Sequence, residues 1–529
     1  MTETHDRFVE ERLPPLEMQP EFLFTLPELQ YPKQLNAAFE LVDRAVLEGD
    51  ADRIAVIDGD ERRTYGWLSD TASRIARLLR EEEGLVPGNR VFLRGANGAM
   101  LYACWLGVLK AGGVVVTTMP LLRPLEIAII LDCARISHAI VDTAGIEHFS
   151  MAIEGRRAPL RSILSFGEGG TLEGRLANVD VGFAPYASRS DEPALIAFTS
   201  GTTGRPKGCI HFHRDILAVA DTFAAQIVKP CRDDVFLTSA PIAFTFGLGA
   251  SVIFPFRTRA ASVTLGRATP AALLDTIERH GVTLLFTAPT AYKEMLGQLS
   301  AHDISTLRAC VSAGEHLPQA TWERWHAATG IKVIDGIGAT EMMHIFISAA
   351  ADAIRPGATG RPVPGFRACV LDAEGRPQNV GQGRLAVKGP TGCRYLDDPR
   401  QANYVHDGWN VTGDTYQIDA DGYFWYVARS DDMIVSSGYN IAAPEVENAL
   451  LRHHAVRECA VIGVPCEARG QLVKAFVVTD AERSDALIKE LQDHVKQVIA
   501  PYKYPRAIEF VDSLPKTATG KLQRYALRP

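Results

Sequence analysis

The chain has 529 residues, of which 47% are hydrophobic and 22% are charged, and its formal net charge is −8. This length exceeds what one compact core usually holds, so we expect at least two domains. The acidic charge and the lack of a Lys/Arg block argue against nucleic acid and against an anionic membrane surface as partners.

The N-terminal and cysteine patterns indicate a cytoplasmic protein. The first residues, MTETHDRFVEERLPP, are charged and contain no apolar segment of the kind found in secretory signals. The most apolar stretch, residues 101–119, is interrupted by Lys110 and by Gly112-Gly113, so it falls short of the roughly 18 apolar residues of a spanning helix. The nine cysteines are scattered without a CxxC pair, which is typical of free thiols in a reducing compartment.

Apolar periodicity predicts alternating helices and strands along the first part of the chain. Apolar residues at helical spacing predict a helix over 67–83, and the apolar run at 113–118 predicts a buried strand. Further strands are predicted at 194–198, 282–288 and 331–334, with helical stretches between them. This alternation predicts an α/β fold with largely parallel sheets.

The segment after residue 430 predicts a separate small α+β unit. Pro444 can occupy the first turn of a helix that runs to residue 451, where its missing N–H costs nothing. The other predicted elements of this unit are strands at 459–464, 473–479 and 507–511 and a helix over 484–499. Since the polar cluster at 429–432 separates two apolar runs, we predict domains at 1–430 and 431–529.

A loop rich in glycine and hydroxyl groups directly follows the strand predicted at 194–198. Its sequence, TSGTTGRPKG, spans residues 199–208. Glycines let backbone N–H groups approach phosphate oxygens, hydroxyls donate hydrogen bonds, and Lys207 adds positive charge. The loop is not a Walker A motif, because Pro206 precedes the lysine and Gly208 follows it. It predicts polyphosphate binding, and a flexible polar loop is the alternative.

This loop resembles the phosphate loop of the adenylate-forming superfamily, which includes acyl- and aryl-CoA synthetases, peptide-synthetase adenylation domains and luciferases. Six further motifs of that family follow in the expected order: SAGE at 312–315, DGIGATE at 335–341, TGD at 412–414, RSDD at 429–432, SSGYN at 436–440 and PKTATGK at 515–521. Together they identify the chain as a member from about residue 50 onward. The resemblance implies a large N-terminal domain of stacked, mostly parallel sheets with helices and a small mobile C-terminal α+β domain.

The resemblance implies an ATP site that uses Mg²⁺. Attack of a carboxylate on the α-phosphate brings two anions together, so charge neutralisation should dominate catalysis. By resemblance, Thr340 contacts the α-phosphate and Glu341 holds Mg²⁺, which prefers oxygen ligands. Lys521 bridges the substrate carboxylate and the α-phosphate, where its charge acts in the transition state. The implied phosphate-binding residues are Thr199, Ser200, Gly201, Thr202, Thr203, Gly204 and Lys207.

The resemblance also implies where the nucleoside lies. Asp414 matches the family's ribose-binding carboxylate, with Arg429 as its companion, and a solvated ion pair is the alternative for these two. The remaining implied residues frame the adenine ring: Gly314, Glu315, Asp335, Gly336 and Tyr426.

The C-terminal domain is implied to rotate after adenylation. This rotation withdraws Lys521 and presents Ser437, Gly438 and Tyr439 to the same site. A side chain at Gly438 would obstruct the tunnel for the pantetheine arm of coenzyme A. Asp431 matches the hinge position of the family, and a plain linker aspartate is the alternative.

The acyl pocket is expected from segments 240–249 and 335–344. No acidic residue occurs between 240 and 256, so the ammonium of an α-amino acid would be buried unpaired. Aromatic walls favour a planar ring, and ordinary core packing is their alternative. The predicted pocket residues are Phe244, Thr245, Phe246, Gly247, Ile337, Gly338 and His344. For His344, a satisfied core histidine is an equal alternative.

The stretches at 244–249, 286–292 and 338–346 resemble benzoate-CoA and 2-aminobenzoate-CoA ligases. They imply an acid–thiol ligase that activates an aromatic acid with ATP and transfers the acyl group to coenzyme A. The loop at 436–440 is also similar to medium-chain acyl-CoA synthetases, so a medium-chain acid stays an alternative. A carrier protein as acceptor and a homodimer are further open alternatives.

One acyltransferase-like pattern is set aside. The sequence HFHRD at 211–215 satisfies HxxxD. Because such short matches occur by chance and this one continues from the phosphate loop, we interpret both histidines as structural.

Overall fold

The computed structural model describes residues 5–154, 160–199, 206–429, 433–436, 439–466, 470–499, 501–516 and 522–528. Within these residues the strands, in chain order, are β1 (Ile54–Asp58), β2 (Glu61–Thr64), β3 (Arg90–Arg94), β4 (Val114–Thr118), β5 (His138–Asp142), β6 (Ser162–Phe166), β7 (Pro193–Thr199), β8 (Lys207–Phe212), β9 (Val235–Thr238), β10 (Ala261–Val263), β11 (Leu284–Thr287), β12 (Ala309–Ser312), β13 (Val333–Gly338), β14 (Ile345–Ser348), β15 (Arg361–Pro362), β16 (Arg367–Leu371), β17 (Pro377–Gln378), β18 (Gly381–Lys388), β19 (Val405–His406), β20 (Trp409–Ile418), β21 (Phe424–Arg429), β22 (Met433–Ser436), β23 (Tyr439–Ala442), β24 (Glu458–Cys466), β25 (Gly470–Val478) and β26 (Ala507–Phe510).

The α-helices are α1 (Tyr65–Arg77), α2 (Ala99–Lys110), α3 (Pro124–Cys133), α4 (Ile146–Ile153), α5 (Leu172–Leu176), α6 (His213–Val219), α7 (Thr245–Leu248), α8 (Phe254–Thr258), α9 (Pro270–His280), α10 (Pro289–Met295), α11 (Gln319–Thr329), α12 (Gln401–Tyr404), α13 (Ala443–Leu451) and α14 (Asp485–Val498). Wider π-helical turns occur at Phe39–Asp43, Val46–Asp50, Leu78–Glu82, Ala220–Val228 and Gly249–Ile253. Short 3₁₀ turns occur at Glu10–Arg12, Leu16–Met18, Pro27–Leu29, Thr143–Gly145, Leu299–Ala301, Thr340–Met342, Ala351–Ala353, Pro501–Lys503 and Arg524–Leu527.

Two large sheets form the first part of the molecule. One has the order β15-β14-β13-β12-β11-β9-β10-β1-β2, and its strands from β13 to β1 run parallel. The other has the order β6-β5-β3-β4-β7-β8, in which β8 alone is antiparallel to its neighbour. Parallel sheets need cover on both faces, which the intervening helices supply.

Both parallel sheets contribute side chains to one contiguous core together with α1 and α2. Trp105 of α2 is fully buried in it. Gly107 lets the two helices approach closely, because a Cβ there would lie 2.7 Å from the side chain of Ile75 in α1. The core thereby fixes the two sheets relative to each other.

Two smaller sheets follow along the chain. The third has the order β17-β16-β18-β20-β19 with β21 paired to β20, and all its pairs are antiparallel. The fourth has the order β23-β22-β25-β24, with β26 parallel to β25, and α13 and α14 pack on it through their own apolar cluster. The predicted α/β class with a small α+β C-terminal part is confirmed. Because residues 430–432 lie outside the described residues, the boundary at 430 stays a prediction.

The predicted helix over 67–83 begins slightly earlier than expected. Thr64 caps α1, since its side-chain oxygen accepts a hydrogen bond from the Trp67 backbone N–H at 3.1 Å. Beyond Arg77 the helix continues as the π-helical turn Leu78–Glu82.

The predicted strands are present with shifted ends. The strand expected over 282–288 is β11, which ends at Thr287 because Pro289 opens α10. The strand expected over 331–334 is β13, which continues to Gly338. The other predicted elements correspond to β4, β7, α13, β24, β25, α14 and β26. Within the described part of the chain, no helix is long and apolar enough to span a membrane.

Candidate active site

The predicted phosphate loop joins two antiparallel strands. β7 ends at Thr199, which lies opposite Lys207, the first residue of β8. The loop therefore follows the carboxyl end of a sheet strand, where ligands bind in open α/β folds. The other predicted phosphate-binding residues lie outside the described residues: Ser200, Gly201, Thr202, Thr203 and Gly204.

Lys207 belongs to a compact polar cluster. Its Nζ donates to the Tyr395 hydroxyl at 2.7 Å and lies 3.5 Å from Oε1 of Glu341. The Tyr395 hydroxyl donates to the same Glu341 oxygen at 2.5 Å. Burial and the charge of Glu341 raise the pKa of Tyr395, so its hydroxyl remains a donor. The structure thus brings together two predicted ATP-site residues around a tyrosine that the sequence did not indicate.

Thr340 and Glu341 lie in the 3₁₀ turn Thr340–Met342, which directly follows β13 and Ala339. Successive side chains alternate along a strand, so Lys207 and His211 of β8 lie on one face, and both contact this turn. Nε2 of His211 donates to the Thr340 carbonyl at 2.8 Å. β8 therefore contacts the turn at two points: Lys207 contacts the Glu341 side chain, and His211 contacts the Thr340 backbone.

The two histidines of the HxxxD pattern have different surroundings. Nδ1 of His213 accepts a hydrogen bond from the Ala37 backbone N–H at 3.1 Å, and burial lowers the pKa of this histidine to about 3. His211 instead lies 3.8 Å from Asp215, which pairs with Arg394 at 2.8 Å in the interior. Burial opposes ionisation of Asp215, but the Arg394 charge and the His211 contact lower its pKa to about 2.

The predicted adenine residues meet at a corner formed by the loop after β12 and by β21. Gly314 has φ +90°, a left-handed conformation that favours glycine. Oε2 of Glu315 accepts a hydrogen bond from the Thr290 hydroxyl at 2.8 Å. The adjacent His316 stacks on Tyr426 with ring centroids 5.0 Å apart. Flat groups of this kind suit a purine ring.

Asp335 and Gly336 lie inside this corner, on β13. Oδ1 of Asp335 is buried and makes no well-formed hydrogen bond within the described residues. Burial raises the pKa of Asp335 to about 8. A carboxyl with this pKa can donate or accept near neutral pH, which suits the mixed donor and acceptor edge of adenine. At Gly336, a Cβ would lie 2.7 Å from the Ile345 side chain, so glycine keeps the strands close.

Asp414 and Arg429 face each other across β20 and β21. Oδ1 of Asp414 lies 3.6 Å from the Arg429 guanidinium, and the Asp414 backbone N–H donates to the Thr412 hydroxyl at 3.2 Å. Gly413 leaves room for this pair, since a Cβ there would lie 2.6 Å from the guanidinium. The structure therefore brings together the two residues predicted for ribose.

Aromatic rings surround His344 in the predicted acyl pocket. Its ring centroid lies 5.7 Å from that of Phe246, 4.6 Å from Phe254 and 5.2 Å from Phe223. Phe246 also contacts Phe286 at 5.9 Å. Burial lowers the pKa of His344 to about 3, so the imidazole is neutral, and neither nitrogen makes a well-formed hydrogen bond within the described residues.

Two pocket glycines are required by close backbone contacts. A Cβ on Gly247 would lie 2.2 Å from the Pro241 carbonyl oxygen. A Cβ on Gly338 would lie 2.8 Å from the carbonyl oxygen of His344. Both segments of the predicted pocket therefore have tightly folded backbones.

The other predicted pocket residues differ in exposure. Thr245 is buried, and Ile337 packs at the margin of the main core. Phe244 is 37% exposed, and the ring contacts of His344 in the described residues are made by other aromatic residues. Its role in the pocket stays a prediction.

Two family models match the sequence. One describes the AMP-binding enzyme and matches residues 43–394, and the other describes its C-terminal domain and matches residues 445–521. The chain belongs to the AMP-binding enzyme family. The resemblance drawn from the ordered motifs is thereby confirmed.

This AMP-binding enzyme is similar to proteins named as aryl-CoA ligases along nearly its whole length. It is 36% identical over 515 residues to benzoate–CoA ligase of Thauera aromatica, and this match covers 95% of this chain and 98% of the relative. It matches a solved anthranilate CoA ligase in complex with anthranoyl-AMP with a TM-score of 0.90, 35% identity and coverage of 95% and 98%. It matches a benzoate CoA ligase from Burkholderia xenovorans LB400 with a TM-score of 0.86, 33% identity and coverage of 93% and 100%.

Several predicted site residues of this AMP-binding enzyme lie outside the described residues. They are Lys521, the hinge candidate Asp431, and two of the predicted coenzyme A residues, Ser437 and Gly438. Tyr439 begins β23 opposite Ser436, but its side chain is not described. The roles of these residues stay predictions.

Sequence reasoning missed Tyr395 and His316. Tyr395 is separated from Lys207 by 188 positions, so no local spacing could indicate their contact. His316 directly follows the SAGE motif, and that proximity is a signal that could have placed it at the adenine corner.

Proposed function

We propose that this enzyme is an ATP-dependent aryl-CoA ligase for benzoate or 2-aminobenzoate. In the first step a carboxylate oxygen attacks the α-phosphorus of ATP, and pyrophosphate leaves to give the acyl-adenylate. In the second step the sulfur of coenzyme A attacks the acyl carbonyl, AMP leaves, and the thiol proton is released. The products are the acyl-CoA thioester, AMP and pyrophosphate.

The observation that carries the proposal is the ring cluster around His344. It adjoins the turn that holds Thr340 and Glu341, so an acid among these rings would have its carboxylate near the ATP site. Offset and edge-to-face contacts with Phe246 and Phe254 favour a flat aromatic ring over a flexible alkyl chain. A neutral buried imidazole without a well-formed hydrogen bond can satisfy a polar ring substituent.

The proposed phosphate chemistry rests on charge neutralisation. Lys207 would approach the β- and γ-phosphates, and Thr340 would donate to the α-phosphate. We assign to Lys521 the bridge between substrate carboxylate and α-phosphate, where charge develops in the transition state. Asp414 would accept hydrogen bonds from the two ribose hydroxyls, since an ionised carboxylate is an acceptor with several lone pairs.

Glu341 fits a Mg²⁺ site. Its carboxylate offers hard oxygen ligands, and one of its oxygens already accepts from Tyr395. Mg²⁺ in nucleotide sites is commonly held by one or two carboxylates together with substrate phosphates. When bound there, the ion would neutralise phosphate charge.

The second step is proposed to use the C-terminal domain after rotation about Asp431. Ser437, Gly438 and Tyr439 would then line the path of the pantetheine arm. Between the two units, one polar contact joins Nδ2 of Asn448 and Nε2 of His316 at 3.3 Å. Single contacts of this kind contribute little, which favours a mobile domain.

A panel of acids tests the proposal. Benzoate, 2-aminobenzoate, octanoate and phenylalanine would each be supplied with ATP, Mg²⁺ and coenzyme A, and pyrophosphate release and thiol consumption would be followed. We expect kcat/KM for one of the two aromatic acids to exceed that for octanoate by at least about tenfold, as expected for about 1.4 kcal/mol of aromatic contact energy. Phenylalanine should be inactive because its ammonium would be buried unpaired.

Three outcomes would contradict the assignment. A preference for octanoate would make the enzyme a medium-chain ligase. Pyrophosphate release without thiol consumption, together with transfer to a carrier protein, would make it a stand-alone adenylation enzyme. Failure of every acid would reject the ligase chemistry itself.

A further inference from the structure

The segment that carries Tyr395 runs beside β8 as an additional extended stretch. Cys209 of β8 pairs with Tyr395, the Ile210 N–H donates to the Arg394 carbonyl at 2.8 Å, and the Leu396 N–H donates to the Gly208 carbonyl at 2.9 Å. Because strand side chains alternate, this register puts Tyr395 on the face of β8 that also carries Lys207 and Cys209. The backbone thus delivers the tyrosine to the phosphate-loop lysine.

The Tyr395 backbone is held from a second side. Its N–H donates to Oε1 of Gln401 at 2.9 Å. Nε2 of Gln401 donates to the carbonyls of Met18 at 2.8 Å and Cys393 at 3.1 Å. Gln401 is buried, so this anchor is shielded from water. The tyrosine ring therefore has little freedom to follow its polar partners.

The Tyr395 hydroxyl has one donor and faces two groups of opposite charge. It accepts from Nζ of Lys207 at 2.7 Å and donates to Oε1 of Glu341 at 2.5 Å, whereas lysine and carboxylate lie 3.5 Å apart. The ring also packs beneath the ammonium, with Nζ 4.6 Å from its centroid. The hydroxyl is thus a neutral bridge inside an ion pair.

We propose that Tyr395 is a positioning residue that holds Lys207 and Glu341 ready for MgATP. Without the hydroxyl, the lysine and the carboxylate could close from 3.5 Å to a tighter pair, which would have to be separated before either group could bind phosphate or metal. With it, Lys207 can turn to the phosphates while Glu341 keeps one hydrogen bond through Oε1 and can offer Oε2 to the ion. This inference rests on the proposed function, because it concerns the ATP step of that reaction.

A neighbouring contact chain supports the same role for this segment. Arg394, next to Tyr395, pairs with Asp215 at 2.8 Å, Asp215 lies 3.8 Å from His211, and His211 donates to the Thr340 carbonyl. The segment 394–395 therefore contacts Glu341 directly through Tyr395, and it reaches the Thr340 backbone only indirectly, through Asp215 and His211. Outer groups that orient a metal-binding carboxylate commonly change metal affinity when they are removed.

The variant Tyr395→Phe tests the proposal, because phenylalanine keeps the ring and removes the hydroxyl alone. Calorimetric titration with ATP in the presence and absence of Mg²⁺ gives a readout independent of turnover. We expect the Kd for MgATP and the KM for ATP to rise about 10- to 100-fold. The KM for the acid and the reaction of supplied acyl-adenylate with coenzyme A should stay within about twofold, since neither uses the phosphate cluster.

Tyr65→Phe is the matched control. The Tyr65 hydroxyl is also buried, and it donates to the Ala260 carbonyl at 2.8 Å. Ala260 directly precedes β10 in the nine-stranded sheet. This variant should bind MgATP like the wild type. Activity of the wild type on an aromatic acid, measured in parallel, separates a failure of the proposed function from a failure of this inference.

Three results would overturn the inference. One is a folded Tyr395→Phe variant with unchanged affinity for MgATP. The second is an equal loss in both half-reactions, and the third is loss of the cooperative thermal transition while Tyr65→Phe retains it. Either of these two would make the hydroxyl a general structural element. Thermal unfolding of both variants is measured first for this reason.

Discussion

At the scale of single residues, Asp335 links the stability of the protein to pH. Burial raises its pKa to about 8, whereas the same carboxyl in an unfolded chain has an ordinary value of 3.8. Between these values the folded protein binds more protons than the unfolded chain, so this group lowers the free energy of unfolding as pH rises from about 4 to 8. The effect belongs to the ligand-free protein.

We therefore predict that Asp335→Asn gains stability relative to the wild type as pH rises. Asparagine cannot ionise. The difference in unfolding free energy should therefore shift in favour of the variant by about 1–3 kcal/mol between pH 5 and pH 8. This is less than the full pKa shift would give, because the site opens to solvent. Thermal or urea unfolding without nucleotide measures it. The exposed Asp52→Asn variant is the control, and a difference that stays constant with pH would contradict the prediction.

Single residues also mark the limit of what the sequence could predict at the site. Thr340, Glu341 and Lys207 were predicted from motifs, and the structure brings them together. Tyr395 was not predicted, because it is separated in sequence by 54 positions from Glu341 and by 188 positions from Lys207. No local pattern encodes either contact. Contacts of this kind depend on strand register, which a single sequence does not fix.

At the scale of elements, the π-helical turn Gly249–Ile253 determines the position of His344. A Cβ on Gly249 would lie 2.6 Å from Cδ2 and Nε2 of that histidine, closer than side chains tolerate. An added methyl group must therefore displace the imidazole, which packs against Phe246.

We predict that Gly249→Ala lowers kcat/KM for the preferred aromatic acid by about 10- to 100-fold, corresponding to about 1–3 kcal/mol of overpacking. The KM for ATP should change by less than about twofold, because the phosphate cluster is untouched. Gly266→Ala is the control, since no atom lies within 4 Å of the added methyl group. Equal effects of the two variants on the acid would show that His344 does not form the acyl pocket.

Elements were predictable to different degrees. Apolar runs located β4, β7, β11 and β13, because buried parallel strands are continuously apolar. The antiparallel third sheet was not predicted, because its strands lack a continuous apolar run; the first four residues of Gly381–Lys388, for example, are partly or fully exposed. The π-helical turns were also missed, since their wider winding has no distinct apolar period.

At the scale of the whole molecule, the small unit rests on the large one through polar contacts. Nζ of Lys293 donates to the Arg457 carbonyl, and Nζ of Lys516 lies 3.8 Å from the Glu294 carboxylate. Sequence reasoning placed a small α+β unit after residue 430, but its rotation came only from family resemblance. Relative placement depends on weak contacts, and the sequence pattern does not encode those.

The most direct measurement of the central claim follows oxygen atoms through the whole reaction. Benzoate and 2-aminobenzoate labelled with ¹⁸O in both carboxylate oxygens would be turned over with ATP and coenzyme A, and the products analysed by mass spectrometry. Since a carboxylate oxygen attacks the α-phosphorus and leaves with AMP, we predict AMP with one ¹⁸O and an acyl-CoA thioester that retains the other. Label in phosphate or pyrophosphate, or unlabelled AMP beside newly formed thioester, would contradict an acyl-adenylate route.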